Sequence, residues 1–190
     1  QDKLDHTYGR NRRRTSIGLY NLDLMKPPLS YTVAKPTEAS FVPLGFQKKM
    51  NLKQILEEHP KGIEYGSIVR PHAVYPIFLD SEKQILSFPP IINSTDLGKI
   101  TEETKNILVE VTGTVHETVL NTLKIVTLSL IDRDGKAHST TVHYQEDNLI
   151  EITPSLETTE MNLDVGYTNK TLDLDLTASQ IGGLLGKAGY

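Results

Sequence analysis

The sequence contains no cysteine and no tryptophan in 190 residues. The first absence excludes disulfides, thiolate zinc sites and cysteine nucleophiles together. Chemistry must therefore rest on Ser, Thr, His, Asp, Glu, Lys or backbone groups, and an intracellular setting is expected. The second, with no aromatic RNA-binding motif, argues against stacking of single-stranded bases. No apolar run approaches the roughly 18 residues that cross a bilayer, and the opening QDKLDHTYGR is polar, so neither a spanning helix nor a signal peptide is expected. G-x-S-x-G, the Walker loop and H-E-x-x-H are also missing, which removes the standard hydrolase, nucleotide and metalloprotease signatures.

What is present is ordinary for a folded domain: 37% hydrophobic residues, 23% charged residues and 13 glycines. At about 150 residues per domain the length predicts one full domain and a piece of a second. The chain starts with Gln and ends in a helix-like LLGKAGY, so it reads as a segment of something larger. Net charge is −4, yet Arg10, Arg12, Arg13 and Arg14 stand together. That basic patch is either a solvated helix end or a phosphate contact, which would give salt-dependent RNA binding.

Alternation predicts strands in TSIGLYNL, with Ile17 and Leu19 on one face, and in SYTVA, with Tyr31 and Val33 on one face. The double proline between them leaves these two strands able to pair only through a long connection. Asn51 opens a helix with Gln54 as its capping-box partner; Leu52, Ile55 and Leu56 form the buried side, and Pro60 with Gly62 closes it. AVYPIFLD and QILSF read as a hairpin that runs straight into Pro89 and Pro90. NILVEVTGT reads as a strand followed by a helix of about five turns, with Thr114 and Glu117 as a capping box and Val119, Leu123, Val126 and Leu130 as the apolar stripe. STTVHY and Asn148 to Thr153 are expected to add two strands to the sheet. Beyond Thr158, EMNLD reads as a strand, while Asp164 caps VGYTNKTL and Thr177 with Gln180 caps the last helix. Gly182 and Gly183 weaken that last helix by about 1 kcal/mol each relative to Ala.

Among the polar groups, His138 and His143 point to opposite strand faces and cannot share a metal, and His59 and His116 read as surface residues. Glu110 lies mid-strand, on the face shared by Leu108 and Thr112. A carboxylate there faces water, a partner or a cavity. The turn Thr112, Gly113, Thr114 either caps the helix or offers free amides to a carbonyl oxygen or phosphate. Ser87, Asn93 and Ser94 flank the double proline on rigid backbone, as loops that carry function do.

The runs GLYNLDLMKPPLSYT, FVPLGF, LKQILEEHPKGIEYG, YPIFLD, LSFPPIINS and NILVEVTGT, in this order over Arg14 to Thr114, resemble the β subunit of phenylalanine–tRNA ligase of the archaeal and eukaryotic type. NLDVGYTNKTLDLDLTASQIGGLLGKAGY is similar to the start of the next, helical domain of that subunit. The resemblance implies an editing domain over residues 1–157 and an incomplete helical domain over 158–190. It implies an α+β fold whose mixed sheet curls toward a barrel, with helices packed outside. It also implies a cytoplasmic protein that acts on phenylalanine tRNA and works beside an α subunit, with no membrane or DNA partner. ATP and magnesium serve the whole synthetase, with no cofactor or metal in this segment.

The implied activity is hydrolysis of tyrosine mistakenly joined to phenylalanine tRNA. An apolar pocket rejects an analogue with an added hydroxyl by only about 10²-fold, so a second site must recognise that hydroxyl. On this resemblance Glu110, where the family commonly has Asp, accepts from the tyrosine phenol, and Leu108, Pro89, Pro90, Gly113 and Thr114 complete the pocket. Ser87, Asn93 and Thr112 orient a hydrolytic water or the ester, and the Thr112 to Thr114 amides face developing negative charge. Arg10, Arg12, Arg13 and Arg14 contact RNA. Lys48, Lys49 and GSIVRPHAV depart from the family pattern. The alternative is a module that holds tRNA and the partner subunit without hydrolytic activity.

Overall fold

A computed structural model describes residues 1–190 and divides them into two compact units, Gln1–Ser155 and Leu156–Tyr190. In the first unit a short helix α1 (Asp2–His6) precedes strand β1 (Thr15–Asn21), and β2 is Ser30–Ala34. Two short strands, β3 (Ser40–Phe41) and β4 (Met50–Asn51), lead into helices α2 (Leu52–Glu58) and α3 (Pro60–Tyr65). Strands β5 (Tyr75–Leu79), β6 (Ile85–Phe88) and β7 (Ile92–Asn93) come next, followed by β8 (Ile107–Gly113) and helix α4 (His116–Ile131). A hairpin of β9 (Thr140–Tyr144) and β10 (Leu149–Thr153) ends the unit. In the second are helices α5 (Val165–Leu172) and α6 (Ala178–Lys187), and Asn169 of α5 holds the connection between them, its side chain bonding both the amide and the carbonyl of Leu176.

The fold is α+β, but the strands form four separate antiparallel sheets and no barrel closes. Strands β1 and β2 do not pair with each other: β1 pairs with β8, and β2 joins the sheet of order β2-β5-β6-β7. Strands β9 and β10 add to neither and form a sheet of their own. Alternation along β5 divides its side chains between two cores. Tyr75 and Ile77 belong to a cluster with Leu52, Ile55, Leu56, Phe88 and Ile91, whereas Phe78 packs with Tyr20, Met25, Leu86 and Leu97.

Several local expectations hold because their partners are near in sequence. The capping boxes Asn51/Gln54 and Thr177/Gln180 are formed, and Asp164 caps α5. Others yield to partners far away. Thr114 does not cap α4; its hydroxyl donates to the Arg13 carbonyl at 3.2 Å, and Val115 takes the N-cap position. Val119, Leu123, Val126 and Leu130 are only half-buried, and the residues α4 buries fully are Thr118, Thr122 and Thr127. The Thr122 hydroxyl remains satisfied by donating to the Thr118 carbonyl within the helix. Pro60 starts α3 instead of ending α2, because proline suits the first helical position. The residues EMNLD form no strand.

Gly62 marks the tightest contact between α2 and α3: a Cβ there would run into the Ile55 carbonyl and lie 2.7 Å from Leu56 Cα. Gly182 has nothing within 4 Å. Gly62→Ala is therefore expected to destabilise the first unit by about 2–3 kcal/mol, and Gly182→Ala to strengthen α6 by up to about 1 kcal/mol. Urea unfolding midpoints of the two variants should move in opposite directions.

Candidate functional site

The site follows from how β1 is hydrogen-bonded. One edge of the strand runs in register with β8, placing Gly18 opposite Glu110 and Tyr20 opposite Leu108. The other edge meets no strand, and side chains satisfy it. Asp5 Oδ1 accepts from the Ile17 amide at 3.2 Å, Gln1 donates to the Ile17 carbonyl at 2.6 Å, and Asn93 donates to the Leu19 carbonyl at 3.2 Å. Between this edge and the Phe88–Asn93 segment lies a cleft of about 410 Å³, within the range of small-ligand pockets. Its walls include Gly18, Tyr20, Ser87, Pro89, Pro90, Asn93 and Glu110.

Five of the residues proposed for the pocket and the reaction thus come together, Ser87, Pro89, Pro90, Asn93 and Glu110, and Arg12 lines the same cleft. Strand pairing explains it, since Ser87 faces Asn93 across β6 and β7 and Phe78 across β5. Leu108, Thr112, Gly113 and Thr114 do not line the cleft. Leu108 packs against the Tyr20 cluster. In the proposed anion-binding turn the Thr114 amide is not free, because it donates to the Arg14 carbonyl at 3.1 Å. A Cβ on Gly113 would strike that same carbonyl.

Glu110 is half-buried as a residue, but its carboxylate is enclosed. Oε2 accepts from the Tyr20 hydroxyl at 2.8 Å, while Oε1 is buried with no hydrogen-bond partner. Burial pushes the carboxyl up to about 7, and the nearby hydroxyls of Tyr20 and Thr112 pull against that shift. Gly18 makes room for it: a Cβ there would stand 2.5 Å from both Glu110 Oε2 and the Tyr20 hydroxyl. Ser87 is fully buried in the cleft wall, and its hydroxyl is engaged with Tyr20 at 2.8 Å in the carboxylate network. Both amide protons of Asn93 go to carbonyls, of Leu19 and Gly98, which leaves its side-chain oxygen as the acceptor.

The arginines separate. Arg12 is drawn into the protein: its guanidinium lies 3.4 Å from Asp5, 4.3 Å over the Tyr65 ring, and donates to the carbonyls of Pro90 and Ile91. It therefore braces the proline wall. Arg10 and Arg13 are exposed and Arg14 is half-buried. His59, expected on the surface, is buried; its Nε2 donates to the Leu44 carbonyl and its Nδ1 accepts from the Lys61 amide. His138 and His143 are exposed, and no group of three or more His, Asp or Glu is placed to hold a metal ion. No helix is long and apolar enough to cross a membrane. Sequence reading missed Tyr20 and Gly18. The signal was the other half of the β1 alternation, where a mid-strand glycine beside a buried tyrosine marks a close approach.

No protein-family model matches the chain. Curated relatives match it from end to end, and they are aminoacyl-tRNA ligase subunits. It is 42% identical over 190 residues to the phenylalanine–tRNA ligase beta subunit of Pyrococcus horikoshii, covering 34% of it, and 42% identical to that of Thermococcus kodakarensis, covering 33%. The crystal structure of an N-terminal fragment of the phenylalanyl-tRNA synthetase beta subunit from Pyrococcus horikoshii matches with a TM-score of 0.91 and 40% identity, over 97% of this chain and 52% of that one. The chain is thus homologous, along its whole length, to one segment of the phenylalanine–tRNA ligase β subunit. It spans about a third of the length of those relatives.

The enclosed Glu110 carboxyl makes stability depend on pH. The unfolded group titrates near its ordinary value of 4.5 and the folded one near 7, so the folded state holds the extra proton between them and stability falls as pH rises through that window. At about 1.36 kcal/mol per unit the change is on the order of 3 kcal/mol. Glu110→Gln is expected to remove this component, so that wild type loses stability relative to the variant between pH 4.5 and 7.5 in urea unfolding.

Proposed function

We propose that this segment is an editing hydrolase within phenylalanine–tRNA ligase, and that it releases tyrosine from tyrosyl ester on phenylalanine tRNA. The observation that carries this reading is Glu110, a residue of the cleft wall whose buried Oε1 has no hydrogen-bond partner. A tyrosine phenol can donate to it. Phenylalanine has no such donor and would leave the oxygen unpaired, and a site built around a substrate hydroxyl discriminates more strongly than an apolar pocket does.

In the proposed reaction a water adds to the ester carbonyl, the bond to the ribose oxygen breaks, and that oxygen leaves with the proton. Asn93 offers its side-chain oxygen to orient the water, with its amide already fixed by two carbonyls. Pro89 and Pro90 form the wall, held by Arg12. Ser87 acts through Tyr20 on Glu110 and not on the water. Arg10, Arg13 and Arg14 remain the phosphate-facing candidates, since Arg12 has protein partners. ATP, magnesium and the α subunit belong to the whole ligase, in the cytoplasm.

The test is tyrosine release from tyrosyl-tRNA for phenylalanine by the ligase that contains this chain. Wild type is expected to release tyrosine well above the buffer rate and to spare the phenylalanyl ester. Glu110→Ala should lower kcat/KM for the tyrosyl ester at least tenfold, the loss associated with about 1.4 kcal/mol or more of transition-state stabilisation. Normal tRNA binding with no release by wild type would favour the non-catalytic module.

A further inference from the structure

Tyr20 meets Glu110 from across the sheet, and the reading above gives its hydroxyl no role in selecting the substrate. The ring is fully buried and tilted against Phe78, with centroids 5.8 Å apart, so the phenol oxygen is held in place. That oxygen is 2.8 Å from Ser87 Oγ and 2.8 Å from Glu110 Oε2. A phenol has one proton, so it can donate to only one of these neighbours and must accept from the other. With Glu110 ionised, Oε2 can only accept. Tyr20 then donates to Glu110, Ser87 donates to Tyr20, and both protons point toward the carboxylate.

We propose that Tyr20 is a positioning residue that occupies Oε2 of Glu110 and so presents Oε1 as the single acceptor for a hydroxyl-bearing side chain in the cleft. The proposal rests on the editing reading. Gly18 supports the arrangement, because any side chain there would displace both the carboxylate oxygen and the phenol. The bond from Tyr20 to Oε2 is the same kind of bond that a ligand tyrosine would make to Oε1, so two phenols would share one carboxylate. Without Tyr20 the two oxygens become equivalent, and the carboxylate is free to turn away from the cleft. The other polar groups facing it are Thr112 on its own strand and Ser87 on β6, with Asp5 on α1 and Tyr31 on β2 in electrostatic reach.

Tyr20→Phe keeps the ring and removes only the proton donor. Carboxyl titration of Glu110 by carbon-13 NMR in the 190-residue chain, with Glu110→Gln assigning the signal, should show its midpoint raised by half a pH unit or more in Tyr20→Phe, because the ionised form loses a donor. Ser87→Ala should move it in the same direction by less. In the ligase, Tyr20→Phe should cut the preference for tyrosyl over phenylalanyl ester at least tenfold. An unmoved midpoint in Tyr20→Phe, or an unchanged tyrosine-to-phenylalanine ratio in an active ligase, overturns the proposal. Should Tyr20→Phe fail to fold, an unmoved midpoint in Ser87→Ala does so. If wild type releases no tyrosine at all, the editing reading falls, and the proposed selection by Tyr20 falls with it; a raised midpoint would then show only that Tyr20 holds the carboxylate.

Discussion

The outer edge of β1 organises this molecule. Backbone amides and carbonyls lose about 1–3 kcal/mol each when buried without partners, so an edge inside a fold must be paired by something. Here the partners are side chains from two places, Gln1 and Asp5 of the α1 segment and Asn93 of β7, where another strand would have served. A strand would have drawn β1 and β7 into one sheet and moved the structure toward a closed barrel. Side chains hold the two apart, and the hollow between them is the cleft. The unpaired edge of β1 and the pocket are one feature.

What the sequence disclosed about the site follows from the range of each interaction. The period of β8 put Glu110 on an identifiable face, and the double proline flagged the Ser87–Asn93 region as rigid and polar. Both are local properties. Tyr20 was hidden because its hydroxyl depends on residues 67 and 90 positions away, which no short window connects. Arg12 was hidden for the same reason: four neighbouring arginines look alike until Asp5, Tyr65, Pro90 and Ile91 select one of them. Thr114 shows the converse, a good capping residue in the right place whose hydroxyl found a carbonyl 101 residues distant.

Helix α4 illustrates how tertiary packing overrides an amphipathic pattern. Its buried line consists of threonines, while the larger aliphatic residues beside them stay half-covered. Small β-branched residues allow a helix to lie close to a sheet, and a hydroxyl that bonds within its own helix has little cost there. Lys48 and Lys49 are exposed, and Lys48 reaches Glu58 at only 3.8 Å. Surface pairs of that kind contribute little to stability.

The bracing of Pro90 and Ile91 by Arg12 has a consequence for dissecting the molecule. The first fourteen residues precede the first strand and look dispensable, a polar leader with one short helix. Yet they carry the guanidinium that grips the roof of the cavity and the carboxylate that closes the rim of β1. Trimming to the start of β1 would leave a sheet able to form and a chamber with no ceiling.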